Sequence, residues 1–381
     1  MFPRLSLFVS SILQNRKQKK DFLKIEDFIR SEQKQIDTLP LSSETKKGTL
    51  IVKCDDIGDF LLWQQVIPHI KANADGPITF VGNSVIKPLI EAWFDFADHY
   101  IWIQKSKWDD ANYRMDIYKQ LRLINAKVAF TPLFTRHFRM DDLMLYASNA
   151  DSRYAWDRSH HPYFPEITVS DPLITNPIKS EEVLQLEYIR HIEFIERIYN
   201  IEIPHEVKPL FPNFTKYKTL IVFPAANTKS RWWNYKKYAQ TIQAVSPLFD
   251  KIFLMGGPNA ADYAKEIEQT ANEPKLVNMV NQTALTELMA FIGEASVLLC
   301  PDTSAMHFSV LTATNTVVLS NGNNWQRFAN YQPYVQSKFK VVFPSYFKPE
   351  PNKVKLNYSG AEIQAITVSQ VVEAIKDCVS N

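Results

Sequence analysis

The sequence predicts an α/β protein made of two domains, and three observations support this. The chain has 381 residues, more than one ordinary hydrophobic core accommodates. Short apolar runs bounded by turn residues alternate with helical stretches along the chain, a pattern typical of parallel sheets covered by helices. Residues 202–217 contain three prolines and no helical periodicity, which predicts a linker, so the domains should meet near residue 210.

Each half of the chain supplies its own set of predicted strands. In the first half these are 49–54, 77–82, 100–104 and 127–131. In the second half they are 219–223, 251–255, 276–280, 296–300 and 315–320. Residues 134–180 are polar and aromatic with few strand signals, so we expect either a helical insertion or long loops there.

The composition is that of an ordinary soluble protein, with 45% hydrophobic and 22% charged residues. A formal net charge of +2 gives no basic field that would favour nucleic acid as the main partner. The cysteines Cys54, Cys300 and Cys378 lie far apart, which indicates neither a disulfide framework nor a structural zinc site and fits a reducing cytoplasm. No apolar run reaches the roughly 18 residues of a membrane-spanning helix.

The two ends of the chain are predicted to lie outside the main domains. Residues 1–48 form an extension in which apolar positions precede a basic cluster at 16–20, without a signal-peptide cleavage site. It is either an interfacial anchor on anionic lipid or an amphipathic helix packed on its own domain. Residues 361–381 predict a C-terminal helix, for which a crossing back onto the first domain is open.

The first candidate site is Asp55-Asp56-Ile57-Gly58-Asp59, directly after the first predicted strand. A glycine there lets a ligand approach the backbone, and the following helix offers unpaired N–H groups. Asp59 at the mouth of such a cleft can act as a general base. Two alternatives remain open, in which an aspartate only caps the helix or the three carboxylates bind a metal ion.

The second candidate site follows the strand 219–223 and contains Asn227, Thr228, Lys229 and Arg231. Small polar side chains beside two cations suit a diphosphate, which arginine can bind with two hydrogen bonds. The alternative is a solvated loop with surface cations. A third site, Gly256-Gly257, ends the next strand and could let a nucleotide lie against the backbone, although a plain turn explains it equally.

The fourth candidate site is the turn from the strand 296–300 into a helix, with the sequence Cys-Pro-Asp-Thr-Ser-Ala-Met-His over 300–307. Asp302, Thr303 and Ser304 can cap the helix and leave outward-facing N–H groups, which makes an anion site. His307 lies in the next turn, where it either adds a hydrogen bond to the ligand or is an ordinary helix histidine.

Together these motifs resemble the heptosyltransferase family of bacterial glycosyltransferases, glycosyltransferase family 9, over about residues 49–335. The resemblance is carried by Asp-Asp-Ile-Gly-Asp at 55–59, Phe-Pro-Ala-Ala-Asn-Thr with Arg-Trp-Trp at 223–233, Gly-Gly-Pro at 256–258 and Asp-Thr-Ser-Ala-Met-His at 302–307. Asn278 with 282–288, and Asn321-Gly322 with Arg327, also match the family pattern.

The resemblance implies two Rossmann-like domains facing a central cleft, the GT-B fold. We expect an acceptor-binding domain at 49–205, a linker at 206–217 and a nucleotide-sugar-binding domain at 218–360. It also implies inverting transfer of a sugar from a nucleotide-diphosphate donor to a saccharide of lipopolysaccharide type. No metal and no cofactor is implied, and the location would be cytoplasmic, open to contact with the inner membrane surface.

By the same resemblance, Asp59 is the base that deprotonates the acceptor hydroxyl and Arg231 stabilises the leaving diphosphate. The residues implied to hold the donor are Gly58, Asn227, Thr228, Lys229, Gly256, Gly257, Asp302, Thr303, Ser304, Ala305 and His307.

Three residues depart from the family pattern. Arg231 stands where the family usually has lysine, Ser304 replaces a glycine, and Gln65 replaces a proline in the first helix. The first two leave open whether the donor is ADP-heptose, whereas the third is expected to be structural only.

The acceptor is expected on the first domain, where the segment 134–163 is basic. Its cationic residues are Arg136, His137, Arg139, Arg153, Arg158, His160 and His161. We expect Arg136, Arg139 and Arg153 to bind anionic groups of a lipid-linked glycan, with a solvated basic loop as the alternative. Other functions left open are a GT-B-type epimerase or hydrolase and a catalytically silent nucleotide-sugar-binding subunit.

Overall fold

A computed structural model places the chain in two six-stranded parallel sheets. The structure describes residues 22–157, 165–179, 185–348 and 362–380. The predicted two-domain α/β architecture is confirmed, since each half of the chain builds one sheet with helices on its faces.

The first sheet has the strand order β3-β2-β1-β4-β5-β6. Its strands are β1 Thr49–Lys53, β2 Ile78–Asn83, β3 His99–Ile103, β4 Val128–Phe130, β5 Ser152–Trp156 and β6 Asn176–Ile178. The second sheet has the order β12-β11-β10-β7-β8-β9. Its strands are β7 Tyr217–Val222, β8 Lys251–Leu254, β9 Leu276–Asn278, β10 Ala295–Pro301, β11 Asn315–Leu319 and β12 Phe339–Val342.

Both sheets follow the same doubly wound order. The direction of winding reverses between β1 and β4 in the first sheet and between β7 and β10 in the second. At such a switch point the helices depart to opposite faces, which opens a crevice beyond the carboxyl ends of the strands. The fold therefore predicts one crevice in each domain. In the first domain it lies beyond the end of β1, and in the second it lies beyond the ends of β7 and β10.

Helices cover the sheets. In the first domain they are α1 22–37, α2 Ile57–Trp63, α3 Ile67–Asn73, α4 Lys87–Leu89, α5 Ala111–Ile124, α6 Leu143–Ala147 and α7 Glu187–Tyr199. In the second they are α8 Tyr235–Val245, α9 Ala261–Ala271, α10 Leu288–Glu294, α11 Ser304–Leu311, α12 Trp325–Phe328 and α13 Val368–Val379. Two π-helical turns span Ile90–Phe94 and Phe138–Asp142. The 3-10 turns are Gln64–Val66, Ser84–Ile86, Lys105–Lys107, Pro165–Leu173, Lys229–Arg231, Ser246–Leu248, Pro258–Ala260 and Ile363–Ala365.

The local sequence explains several of these elements. All five residues of β1 are buried, because helices cover both faces of this parallel strand; its centre, Leu50 to Val52, is apolar, and the buried Lys53 is paired with Asp55. The α5 helix ends at Asn125, which adopts the left-handed conformation with φ 57°. The α13 helix begins with a capping box in which the Thr367 and Gln370 side chains bond each other's backbone N–H groups.

One apolar core runs across both domains. It contains Phe60 and Trp63 of α2 together with Met306 and Phe308 of α11, all completely buried. The α2 and α11 helices pack directly against each other. Since each begins at the switch-point crevice of its own sheet, this packing brings the two crevices face to face.

The chain between the domains is bonded to the first domain, through Gln65 and Tyr188, and also to the second. The Val207 and Phe211 N–H groups donate to the carbonyls of Tyr334 and Leu311, both at 2.9 Å. The Lys216 ammonium donates to the carbonyls of Gly293 and Thr312, at 2.6 and 3.2 Å, and to the Thr314 hydroxyl at 2.7 Å. Lys216 thus satisfies carbonyls where α10 and α11 end, as cations commonly do.

The predicted strands all form, but three further strands were not predicted. The β5 strand is half polar, and β6 is a three-residue edge strand that includes a proline. The β12 strand is a four-residue edge strand. Short edge strands lack the apolar run that marks a central strand, so sequence periodicity does not reveal them. Residues 134–180 accordingly hold helical turns and two strands, rather than only a helical insertion or loops.

The terminal helices pack on the domains nearest to them in sequence. Ile29 and Ile36 of α1 are buried in the core of the first domain. Residues 1–21, which include the predicted basic cluster, lie outside the described residues. The C-terminal α13 packs on α8 and on β10 to β12 of the second domain. A crossing back of this helix onto the first domain is therefore wrong, since its apolar face already covers the second sheet.

Within the described ranges, no helix has both the length and the apolar character needed to cross a membrane.

A buried ion pair fixes α1 to α5. Arg114 donates to both carboxylate oxygens of Glu32, at 3.0 and 2.9 Å, and the two side chains are 5% and 4% exposed. Removing one partner leaves a buried charge without compensation, which typically costs about 3 to 5 kcal/mol.

We expect Glu32→Gln to lower the free energy of unfolding of the first domain by about 3 kcal/mol, measured by urea denaturation. Glu26→Gln is the matched control, because Glu26 pairs with Arg30 on the surface of the same helix. An exposed pair of this kind contributes well below about 1 kcal/mol. Equal effects of the two substitutions would contradict a structural role for the Glu32–Arg114 pair.

Candidate active site in the interdomain cleft

A cavity of about 610 Å³ lies where the two crevices face each other. The first domain contributes Asp56, Ile57, Gly58, Asp59 and Val85. The second contributes Ala226, Asn227, Thr228, Arg231, Asp302, Thr303, Ser304, His307 and Phe328. The segments after β1, β7 and β10 supply most of this lining, as the strand order requires.

On the first-domain side, the aspartates of the 55–59 motif have different surroundings. Asp55 accepts from the buried Lys53 ammonium at 2.5 Å, and Asp56 pairs with Lys105 at 2.8 Å. Asp56 occupies the N-cap position of α2, but its side chain makes no capping hydrogen bond. Among the described residues, Asp59 has no hydrogen-bond or ion-pair partner and lines the cavity. Capping alone therefore does not account for the motif.

The surroundings of Asp59 make its carboxylate a stronger base. Loss of solvent raises its pKa to about 7, with further raising by the negative charges of Asp55, Glu187 and Asp56 and an opposing effect of Lys53. A carboxylate with a pKa near neutrality can accept a proton efficiently at physiological pH.

On the second-domain side, α11 begins directly at the cavity. Its N-cap residue Thr303 is extended and its side chain makes no capping bond. The first-turn N–H groups and the positive end of the helix dipole therefore lie at the cavity edge, where they favour an anion.

Arg231 adds a full positive charge to this side of the cavity. Its guanidinium donates to the Asp302 carbonyl at 3.1 Å and lies 3.5 Å from the Asp302 carboxylate, while its side chain keeps 32% exposure. Burial raises the pKa of Asp302, and the charge of Arg231 opposes that shift. Arg231 is thus held in place and still reachable from the cavity.

His307 stands between the two domains. Its Nδ1 is hydrogen-bonded to the Tyr331 hydroxyl at 2.8 Å. Burial lowers the pKa of His307 to about 3, so the ring is neutral at physiological pH. A Cβ atom added to Gly58 would come within 3.0 Å of the His307 Cδ2 and 3.7 Å of the Ser304 Cα. Glycine at position 58 is therefore what allows α2 and α11 to approach this closely.

The structure brings together nine of the residues that the sequence pointed to. They are Gly58, Asp59, Asn227, Thr228, Arg231, Asp302, Thr303, Ser304 and His307. Four others do not line the cavity. Lys229 is exposed with its Nζ 5.9 Å from the Trp232 ring centre, Ala305 is buried beneath the helix start, and Gly256 and Gly257 follow the neighbouring strand β8.

The arginines predicted to bind the acceptor do not line the cavity either. Arg136 is 2% exposed, and its guanidinium is already paired with Asp142 and Asp171, so its surroundings do not support the predicted contact with an acceptor. Arg139 pairs with Asp109 and lies over the Phe28 ring.

Arg153 lies near the start of β5, at the end of the sheet that faces away from the cleft. It donates to the carbonyls of Leu173 and Ala150. These arginines support the structure of the first domain. Arg158, His160 and His161 lie outside the described residues.

Sequence reasoning missed several residues beside the cavity. Val85 and Phe328 line it, and Glu187 influences Asp59 from α7. Glu187 is more than a hundred positions away from Asp59 in the sequence and belongs to no recognisable motif, so only the fold reveals this proximity. Among the described residues, no three His, Cys, Asp or Glu side chains are grouped to hold a metal ion.

Comparison with protein-family models finds one match, in which residues 201–356 correspond to glycosyltransferase family 9 (heptosyltransferase). Comparison with curated proteins gives no significant sequence match.

Solved structures of this family share the fold. The glycosyl transferase family 9 protein from Veillonella parvula has a TM-score of 0.64 and 14% identity, covering 89% of this chain and 99% of that one. The E. coli heptosyltransferase WaaC with ADP has a TM-score of 0.69 and 13% identity, covering 87% and 99%. The E. coli ADP-heptose lps heptosyltransferase II has a TM-score of 0.60 and 14% identity, covering 87% and 98%.

The fold similarity extends over both domains, whereas the family model matches the second domain with its flanking segments. The predicted GT-B fold is confirmed, and the predicted glycosyltransferase family is confirmed for residues 201–356. The chain is a glycosyltransferase of GT-B fold, and its C-terminal domain belongs to glycosyltransferase family 9.

Proposed function

We propose that the chain transfers a sugar from a nucleotide-diphosphate donor to a hydroxyl group of a saccharide acceptor, with inversion at the anomeric carbon. The observation that supports this most directly is the opposition of Asp59 to Arg231 and the α11 start across one cavity. The reaction removes a proton from the acceptor hydroxyl and leaves negative charge on the diphosphate. A proton acceptor on one wall and an anion site on the other suit these two changes.

In the proposed reaction, the acceptor hydroxyl attacks the anomeric carbon from the face opposite the diphosphate. The new carbon–oxygen bond forms while the bond to the diphosphate oxygen breaks, and Asp59 takes the hydroxyl proton. Negative charge develops on the departing diphosphate. Arg231 and the α11 N–H groups are already in place to stabilise it, which lowers the barrier without reorganisation.

The nucleotide sugar would bind mainly to the second domain, through the segments 227–231 and 302–304. Arg231 presents a planar guanidinium where the family usually has an ammonium, so it can form paired hydrogen bonds to phosphate oxygens. ADP-heptose is the first donor to test, because ADP and ADP-heptose are named for the E. coli relatives. A lipopolysaccharide-type saccharide is the corresponding acceptor.

We expect Asp59→Asn to reduce transfer by at least about 100-fold, because the amide keeps the shape of the side chain but cannot accept the proton. Binding of ADP, measured by calorimetry, should change by less than about twofold, since the donor site lies on the other wall. Asp56→Asn is the comparison variant, because Lys105 already neutralises Asp56, and it should retain far more activity. If Asp59→Asn transferred sugar at the wild-type rate, Asp59 would not be the catalytic base.

The rate should depend on pH through Asp59. Its raised pKa, about 7, means that the carboxylate is protonated and inactive at pH 5 and ionised at pH 8.5. The kcat/KM value should therefore rise with pH, reach half its maximum near pH 7 and then level off. A profile recorded from pH 5 to 9 tests this expectation, and a rate that falls as pH rises through 7 would contradict it.

Gly58→Ala should impair transfer without harming stability. The new methyl group would meet the His307 ring at 3.0 Å and push the two walls apart by a few tenths of an ångström. We expect transfer to fall by roughly 5- to 10-fold, with a larger loss for Gly58→Val. The melting temperature should hold, because alanine favours the helix by up to about 1 kcal/mol and offsets the crowding. Unchanged transfer by both variants would show that the close approach is dispensable.

A further inference from the structure

A buried ion pair joins the two domains beside the cleft. The Arg327 Nε donates to a carboxylate oxygen of Glu187 at 2.6 Å, and the side chains are 9% and 6% exposed. Glu187 is the first residue of α7, which packs on α2 of the first domain, whereas Arg327 belongs to α12 of the second domain. Buried ions are costly unless paired, so this contact favours one relative placement of the domains.

A second arginine holds Glu187 from its own helix. The Arg190 Nε lies 3.6 Å from the same Glu187 oxygen, and its guanidinium stacks 3.8 Å from the Phe134 ring centre. Arg190 remains beside Glu187 when Arg327 is removed, so a substitution at Arg327 takes away one of the two cations that contact the Glu187 carboxylate.

The same short helix shapes the cavity. Phe328, next to Arg327, lines the cleft, and the Arg327 guanidinium lies 5.0 Å from its ring centre. A four-residue helix has little stability of its own. The contact with Glu187 thus anchors the segment that places Phe328 on the wall.

Glu187 also acts electrostatically on Asp59. The charged groups that face Asp59 are Lys53, Asp55 and Asp56 from β1 and the loop after it, and Glu187 from α7. From the second domain, the neutral side chains of Tyr331 and His307 face it. The negative charge of Glu187 raises the pKa of Asp59, and Arg327 is the cation of the opposite domain that compensates that charge.

We propose that Glu187 and Arg327 are positioning residues that couple the placement of the two cleft walls to the charge around Asp59. The inference rests on the proposed function, in which Asp59 is the base. When the pair is formed, the cleft walls are in register and the Glu187 charge is compensated. With the walls still together, loss of the Arg327 charge leaves Asp59 beside a less compensated Glu187 carboxylate, which favours the protonated form of Asp59.

The coupling predicts shifts of opposite sign for the two partners. Arg327→Met should move the midpoint of the acidic limb of kcat/KM upward by about half to one pH unit. Glu187→Gln removes the negative charge and should move the midpoint downward by a similar amount. Arg327→Lys keeps the charge and should restore the wild-type midpoint, even if kcat is reduced by the poorer geometry.

The matched control is Glu32→Gln, which also breaks a buried Arg–Glu pair, namely the pair that joins α1 to α5. It should leave the midpoint unchanged. Shifts in the same direction for Arg327→Met and Glu187→Gln would overturn the inference. A midpoint shift for Glu32→Gln as large as theirs would also overturn the inference, because the shifts would then reflect general destabilisation. Since the Arg327 variants alone test the charge effect, the test does not depend on Glu187→Gln folding.

The experiment also separates this inference from the proposed function. The Asp59 titration is measured by carboxyl ¹³C NMR on aspartate-labelled protein and assigned by loss of the signal in Asp59→Asn. If the wild type transfers no sugar while the Asp59 midpoint still shifts in opposite directions, the proposed function fails and the coupling holds. If transfer occurs and neither midpoint moves, the coupling fails alone.

Discussion

The contact between α2 and α11 is the constraint on which the cleft depends. Each helix starts at the switch point of its own sheet, so joining their N-terminal ends joins the two crevices into one cavity. Gly58 makes this possible, because any side chain there would meet the His307 ring. The apolar residues that follow in both helices form a single core across the domains, which stabilises the arrangement.

This arrangement sets the electrostatics of the site. Closing the cavity removes water from Asp59 and places it among other carboxylates, which raises its proton affinity. On the opposite wall, Arg231 and the α11 start present positive potential. The two walls therefore carry complementary properties on either side of one cavity. Neither domain has both, so the chemistry proposed for the chain requires the pair of domains rather than one of them.

The sequence was sufficient for the features that depend on neighbouring residues. Buried parallel strands are continuous apolar runs, and the turns after β1, β7 and β10 carry recognisable polar motifs, so the fold class and nine cavity residues could be predicted. Charge alone was misleading for Arg136, because sequence does not show that Asp142 and Asp171 already neutralise it. Glu187 was missed for the complementary reason, since its proximity to Asp59 arises only when α7 packs on α2.

The segment between the domains is bonded to both of them. On the first-domain side, the Tyr188 hydroxyl donates to the Glu206 carbonyl and the Gln65 side chain donates to the Lys208 carbonyl. On the second-domain side, the Val207 and Phe211 N–H groups donate to the carbonyls of Tyr334 and Leu311. Because contacts to the two domains alternate along the chain, a rotation of one domain against the other must break some of them. The proline-rich segment therefore braces the two domains against each other and resists a change in the width of the cleft.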